Sequence, residues 1–162
     1  MNNNDQQTQE EIVIGTTNSN KKTRSDVIKE LIQTSRTGIN DFYLEALEEI
    51  FNETWTKYDI CLVLTGTHIL DRLCRDEHKR NPITGQEFAR ILMEFTRRYS
   101  WFFAGLPPEK ESYGVIYEPF SQINIGFVLR PGVGISGFGR DLMLQTILRK
   151  NNFFTKDRVY QV

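Results

Sequence analysis

The stretch Ile123-Asn124-Ile125-Gly126-Phe127-Val128-Leu129-Arg130-Pro131-Gly132-Val133-Gly134-Ile135-Ser136-Gly137-Phe138-Gly139-Arg140 decides how this chain is read. In its first half Ile123, Ile125, Phe127 and Leu129 alternate with Asn124, Gly126 and Val128, and with Gln122 just before them. That period of two predicts a half-buried antiparallel strand. The second half packs four of the chain's 11 glycines into a short turn. Gly132, Gly134 and Gly137 spell G-x-G-x-x-G, a spacing that lets backbone N–H groups cradle a phosphate when a helix follows. The next run, Asp141 to Lys150, reads as a short amphipathic helix with Leu144, Ile147 and Leu148 on one face.

The surroundings argue against a nucleotide fold. A dinucleotide site needs a βαβ unit and an acidic ribose ligand about 20 residues on, and Asp157 is the sole acid in that region. No Lys-Ser/Thr pair follows, so the turn is not a P-loop. Asp141 would also place a negative charge where the phosphate should sit. The expected role is a hinge, with Arg130, Gly132, Gly134, Gly137, Gly139 and Arg140 as a simpler anion or partner contact.

Working outward, Tyr113 to Tyr117 and Gln122 to Arg130 read as two strands joined around Glu118-Pro119, and Phe153 to Val162 as a last strand. Upstream the periodicity is helical. Thr84-Gly85-Gln86-Glu87 has the form of a capping box after the Asn81-Pro82 break. The helix it opens runs to about Phe103, with Phe88, Ile91, Leu92, Phe95, Tyr99 and Phe102 along one side and an exposed Glu94–Arg98 pair. Ile60 to Leu64 reads either as a buried strand or as the start of one long helix through Leu73; the spacing of Ile69, Leu70, Leu73 and Cys74 favours the helix.

Asn40 can cap a helix to about Thr54, with Phe42, Tyr43, Ala46, Leu47, Ile50 and Phe51 as its apolar stripe. Glu45, Glu48, Glu49 and Glu53 between them read as a solvated face. A first helix is expected over Asp26 to Arg36, on Val27, Ile28, Leu31 and Ile32. Residues 1–24 are polar enough to be a flexible arm, and the triplet Ile12-Val13-Ile14 within it could add as a strand to a sheet edge. The expected fold is therefore α+β: about four N-terminal helices packed on a small antiparallel sheet from the C-terminal half. Residues 25–162 form its single domain.

Composition bounds the function. At 162 residues, 39% hydrophobic and 25% charged, the chain can bury one core. No apolar run approaches the roughly 20 residues of a membrane span, and two cysteines make no disulfide framework. A soluble, cytoplasmic protein is expected. Charge is graded, from five basic against ten acidic residues over 1–53 to six against two over 129–162.

Two further residue groups invite a chemistry. Cys61, His68, Cys74 and His78 are four soft ligands within 18 residues, but the spacing C-x6-H-x5-C-x3-H matches no common zinc site, and no metal or other cofactor is expected. Arg72, Arg75 and Lys79 share a helix face and, with Arg140, Arg149 and Lys150, form a candidate nucleic-acid contact. No nucleophile elbow or metalloprotease motif is present. The residues thus point to a non-catalytic binding or assembly protein that self-associates or docks on a larger complex. The alternatives are an RNA- or DNA-binding accessory factor, and a small enzyme or ligand binder using the Gly132–Gly139 loop.

Overall fold

From Ser112 onward the described elements are all strands, including the run expected to be a helix. The computed structural model describes residues 38–77, 81–132, 137 and 139–162. The expected arm, its strand triplet and the helix over 26–36 lie outside the described residues, as do His78, Lys79 and Gly134. Among the described residues there are three α-helices, α1 (Asp41–Trp55), α2 (Ile69–Glu77) and α3 (Gly85–Ala104). They accompany five strands, β1 (Ile60–Val63), β2 (Ser112–Glu118), β3 (Ile123–Pro131), β4 (Arg140–Arg149) and β5 (Arg158–Gln161). No helix among them is long and apolar enough to cross a membrane.

The strands form one sheet in the order β1-β4-β3-β2-β5. The centre, β4-β3-β2, is antiparallel as expected. Both flanking strands, however, join in parallel, β1 on β4 and β5 on β2. The sheet is therefore mixed, and the purely antiparallel expectation is corrected. Parallel neighbours require long crossovers, so these pairings connect segments far apart in the chain.

The helical reading of 141–150 fails for a local reason. Phe127 pairs with Leu144 and Gly126 with Thr146, so Gln145 is an extra residue in β4. Such a bulge shifts the alternation by one. Leu142 and Leu144 point inward, and after the bulge so does Ile147, all three buried. The resulting spacing of Leu144 and Ile147 imitates a helical i, i+3 pair.

The ambiguous 60–80 segment resolves into strand, turn and helix. Asp59 enters β1 in the left-handed region (φ 56°) and Gly66 leaves it at φ 66°. Such conformations break a helix and suit glycine best. Helix starts are as the sequence implies: the Asn40 side chain accepts from Tyr43 N–H at 2.8 Å, and Thr84 with Glu87 completes a reciprocal capping box.

One core joins all the elements. Its densest part is aromatic: Phe95 and Phe103 of α3 pack on Phe127 of β3 and Tyr160 of β5, with ring centroids 5.1–6.1 Å apart. Trp55, at the end of α1, joins them at 5.9 Å from Phe95 and donates its indole N–H to Thr96 Oγ1 at 3.0 Å. Gly114 makes this approach possible, since a Cβ there would lie 2.5 Å from the Phe127 ring and 2.8 Å from that of Tyr160.

Candidate functional site

α1 and α3 lie side by side and run in the same direction. Tyr43, early in α1, donates its hydroxyl to the Gly85 carbonyl at the start of α3 (2.5 Å), while Trp55 at the other end meets Thr96. Burial without a charged partner raises the Tyr43 phenol well above its ordinary pKa, so this link is a neutral donor at any physiological pH.

An open groove of about 890 Å3 lies between the two helices, lined among the described residues by α1 and α3 side chains. Leu47, Ile50, Phe51, Ala89 and Met93 make it apolar, and Glu53, Arg90 and Arg97 stand around it. Met93 is 52% exposed. A thioether in that position is a soft, adaptable contact for apolar side chains. Arg97 is engaged by Glu94 at 2.7 Å, and Arg98 by the same carboxylate at 3.3 Å; the exposed Glu94–Arg98 pair is thus as expected.

Arg90 connects the groove to the sheet. Its guanidinium lies 3.5 Å from the carboxylate of Glu118 at the end of β2. Glu118 is only 1% exposed and is the hub of the turn that follows. It accepts from Phe120 N–H at 3.2 Å, from Ser121 N–H at 2.6 Å and from the Ser121 hydroxyl. Burial opposes ionisation, but these hydrogen bonds and Arg90 outweigh it, and the carboxyl titrates below its usual range. A second, half-buried pair lies beside it. Arg149 binds Glu87 at 2.9 Å and donates to the carbonyls of Ser121 (2.8 Å) and Pro82 (3.3 Å). Here too burial opposes ionisation of Glu87, and hydrogen bonds from Thr84 and Arg149 bring the net shift below the usual range.

The Gly-rich turn occupies a different setting from the one its motif suggests. Pro131 pairs with Arg140 in the β3–β4 ladder, and Gly132 N–H donates to the Gly139 carbonyl at 2.8 Å. The turn therefore joins two antiparallel strands. With no helix after it there is no helix N-terminus to attract an anion, and the Gly132 donor is already spent. A side chain on Gly132 would strike the Asp141 carboxylate. Gly137 takes φ 81°, a conformation that suits glycine best. Arg130 is exposed, but Arg140 is buried, with Nη1 donating to the Leu106 carbonyl at 3.1 Å. Arg140 thus serves the core and is not available as a surface anion contact.

The remaining predicted residues separate. Cys61 lies on β1 and His68 is exposed, 3.7 Å from Asp71. Cys74 lies on α2, so Cys61 and Cys74 do not share one helix. Among the described residues no group of three or more His, Cys, Asp or Glu side chains could hold a metal ion. Arg72 and Arg75 lie on α2, and Arg149 is held inside the Glu87 pair, leaving Lys150 exposed at the end of β4.

Sequence reasoning missed two features. Glu48, read as solvated, accepts from Leu64 N–H (2.8 Å), Thr65 N–H (2.9 Å) and Thr65 Oγ1 (3.0 Å). Asn52 pairs with both backbone groups of Leu62, donating at 2.9 Å and accepting at 2.7 Å. Together they bind α1 to the edge of β1. The other omission is the Glu118 turn, whose signal was Glu-Pro-x-Ser, an acceptor placed just before two turn N–H donors. Comparison with protein-family models, with curated proteins and with solved structures finds no match to this chain.

Proposed function

We propose that this chain is a non-catalytic binding or assembly protein whose α1/α3 groove receives apolar side chains from a protein partner. The observation that carries the reading is the groove itself: a mainly apolar cleft between two parallel helices, with Met93 half exposed and Glu53, Arg90 and Arg97 among its lining residues. An apolar centre with a polar rim is the usual anatomy of a protein contact. The hydrogen-bonded carboxylates support the same reading, because Glu87 and Glu118 are engaged by structural hydrogen bonds and are held ionised, which suits them poorly to proton transfer. The nucleic-acid alternative draws less support, since Arg149 and Arg140 are committed to internal partners.

The test uses the full chain labelled at methionine methyl groups and a synthetic amphipathic peptide with a leucine stripe. Saturable shifts of the Met93 methyl signal, lost for the peptide with its leucines replaced by serine, support the reading. A Met93 signal unmoved at millimolar peptide in a chain that sediments as a monomer overturns it.

A further inference from the structure

We propose that the chain forms a two-fold dimer in which Phe120 of each copy enters the α1/α3 groove of the other. The inference rests on the groove being a protein-docking surface and names its occupant.

Phe120 is 94% exposed. Scattered apolar residues on a surface are ordinary, and Phe154 is another, at 88%. Phe120 differs in how it is held. Its own N–H and that of Ser121 are bound by the Glu118 carboxylate. The Ser121 carbonyl accepts from Arg149 at 2.8 Å, and the Gln122 carbonyl accepts from Lys150 N–H at 2.9 Å and Asn124 Nδ2 at 3.1 Å. Gln122 itself sits in the left-handed region, at φ 57°. A turn anchored at each of these groups holds the Phe120 backbone in place, so little backbone freedom is lost when the ring docks. Large aromatic side chains entering pockets are the commonest anchors of protein interfaces.

The location of this knob selects the occupant. Glu118 holds the Phe120 backbone through one oxygen, and its other oxygen faces Arg90, which lines the groove. One carboxylate thus separates the knob's backbone from the lip of an apolar cleft. An exposed phenyl ring and an apolar cleft linked through one carboxylate are close enough to share a two-fold interface, where the same patch serves both subunits reciprocally. The second copy therefore supplies an apolar aromatic of known position, and both contacts form at once.

Analytical ultracentrifugation of the full chain tests this, alongside Phe120→Asp and Met93→Asp. Both positions are at least half exposed, and circular dichroism checks that each variant is folded. The expected result is a dimer for the unchanged chain and a dimer dissociation constant raised at least tenfold in each variant. Mixing the two variants should restore a heterodimer with one intact contact, since one retains its groove and the other its phenyl ring. A dimer indifferent to Phe120→Asp overturns the proposal, as does a strictly monomeric unchanged chain. The leucine-stripe peptide separates the two levels. A monomeric chain that still shifts its Met93 methyl overturns the dimer alone, whereas loss of that shift removes the groove reading beneath it.

Discussion

Replacing Asn52 with alanine should unfasten α1 from the sheet edge at a cost set by two buried backbone groups. Leu62 is 1% exposed, and on the side away from β4 its N–H and C=O are satisfied by Asn52 Oδ1 and Nδ2 at 2.7 and 2.9 Å. Truncation leaves a donor and an acceptor without partners. Each buried group so stranded costs about 1–3 kcal/mol, and Asn52 is itself only half-buried, so entering water offsets part of this. The expected loss is about 2–4 kcal/mol, a large share of the roughly 5–15 kcal/mol that holds a domain together. Urea unfolding followed by far-UV circular dichroism measures it, with Asn52→Asp for comparison. Asn52→Asp keeps the acceptor for Leu62 N–H but loses the donor, so its loss should fall between the unchanged chain and Asn52→Ala. A loss below about 1 kcal/mol for Asn52→Ala would show that Leu62 is rehydrated freely and that the side chain is no substitute for a neighbouring strand.

Two other expectations concern the core and the Glu118 turn. Gly114→Ala should destabilise by about 1–3 kcal/mol, because its methyl would meet the Phe127 and Tyr160 rings at 2.5 and 2.8 Å; thermal melts with unchanged stability would refute the close approach. Glu87 and Glu118 titrate lower in the folded chain than their ordinary value of 4.5. The stability they contribute is thus fully present above about pH 4.5 and is lost as pH falls through their folded-state values. Unfolding measured from pH 7 to pH 3 should show this decline, and Glu118→Gln should be less stable at neutral pH with a shallower acid slope. An acid slope identical to that of the unchanged chain would mean that Glu118 ionisation does not support the turn.

Much of the fold was legible in local pattern. The capping box at Thr84 and Glu87 and the Asn40 cap each express a chemistry confined to a few neighbouring residues, and both appear in the structure. β3 forms where the alternation placed it, but Asn124 and Val128 are buried too, so it is not the half-buried strand that pattern predicted. Reading failed where the deciding contact was distant. The bulge at Gln145 is defined only against Gly126 and Phe127 on the next strand, so the spacing within 141–150 imitated a helix. The acids of α1 looked uniform, yet Glu48 is turned to use by backbone N–H groups 16 and 17 residues away.

The candidate site divides the same way. By itself the sequence determined the two amphipathic helices, because a 3.6-residue period specifies which side of each is apolar whatever it packs against. It also determined that the 132–139 segment is a glycine-rich turn. Only the tertiary structure decided what those parts became. Setting α1 parallel to α3 left Ile50, Phe51 and Met93 along an open groove, and pairing β4 with β3 turned the glycine motif into a hairpin loop whose first N–H is already bonded. The physical reason is range. Periodicity and capping act over a few residues, whereas the fate of an exposed side chain or a free N–H depends on which distant surface comes to rest beside it.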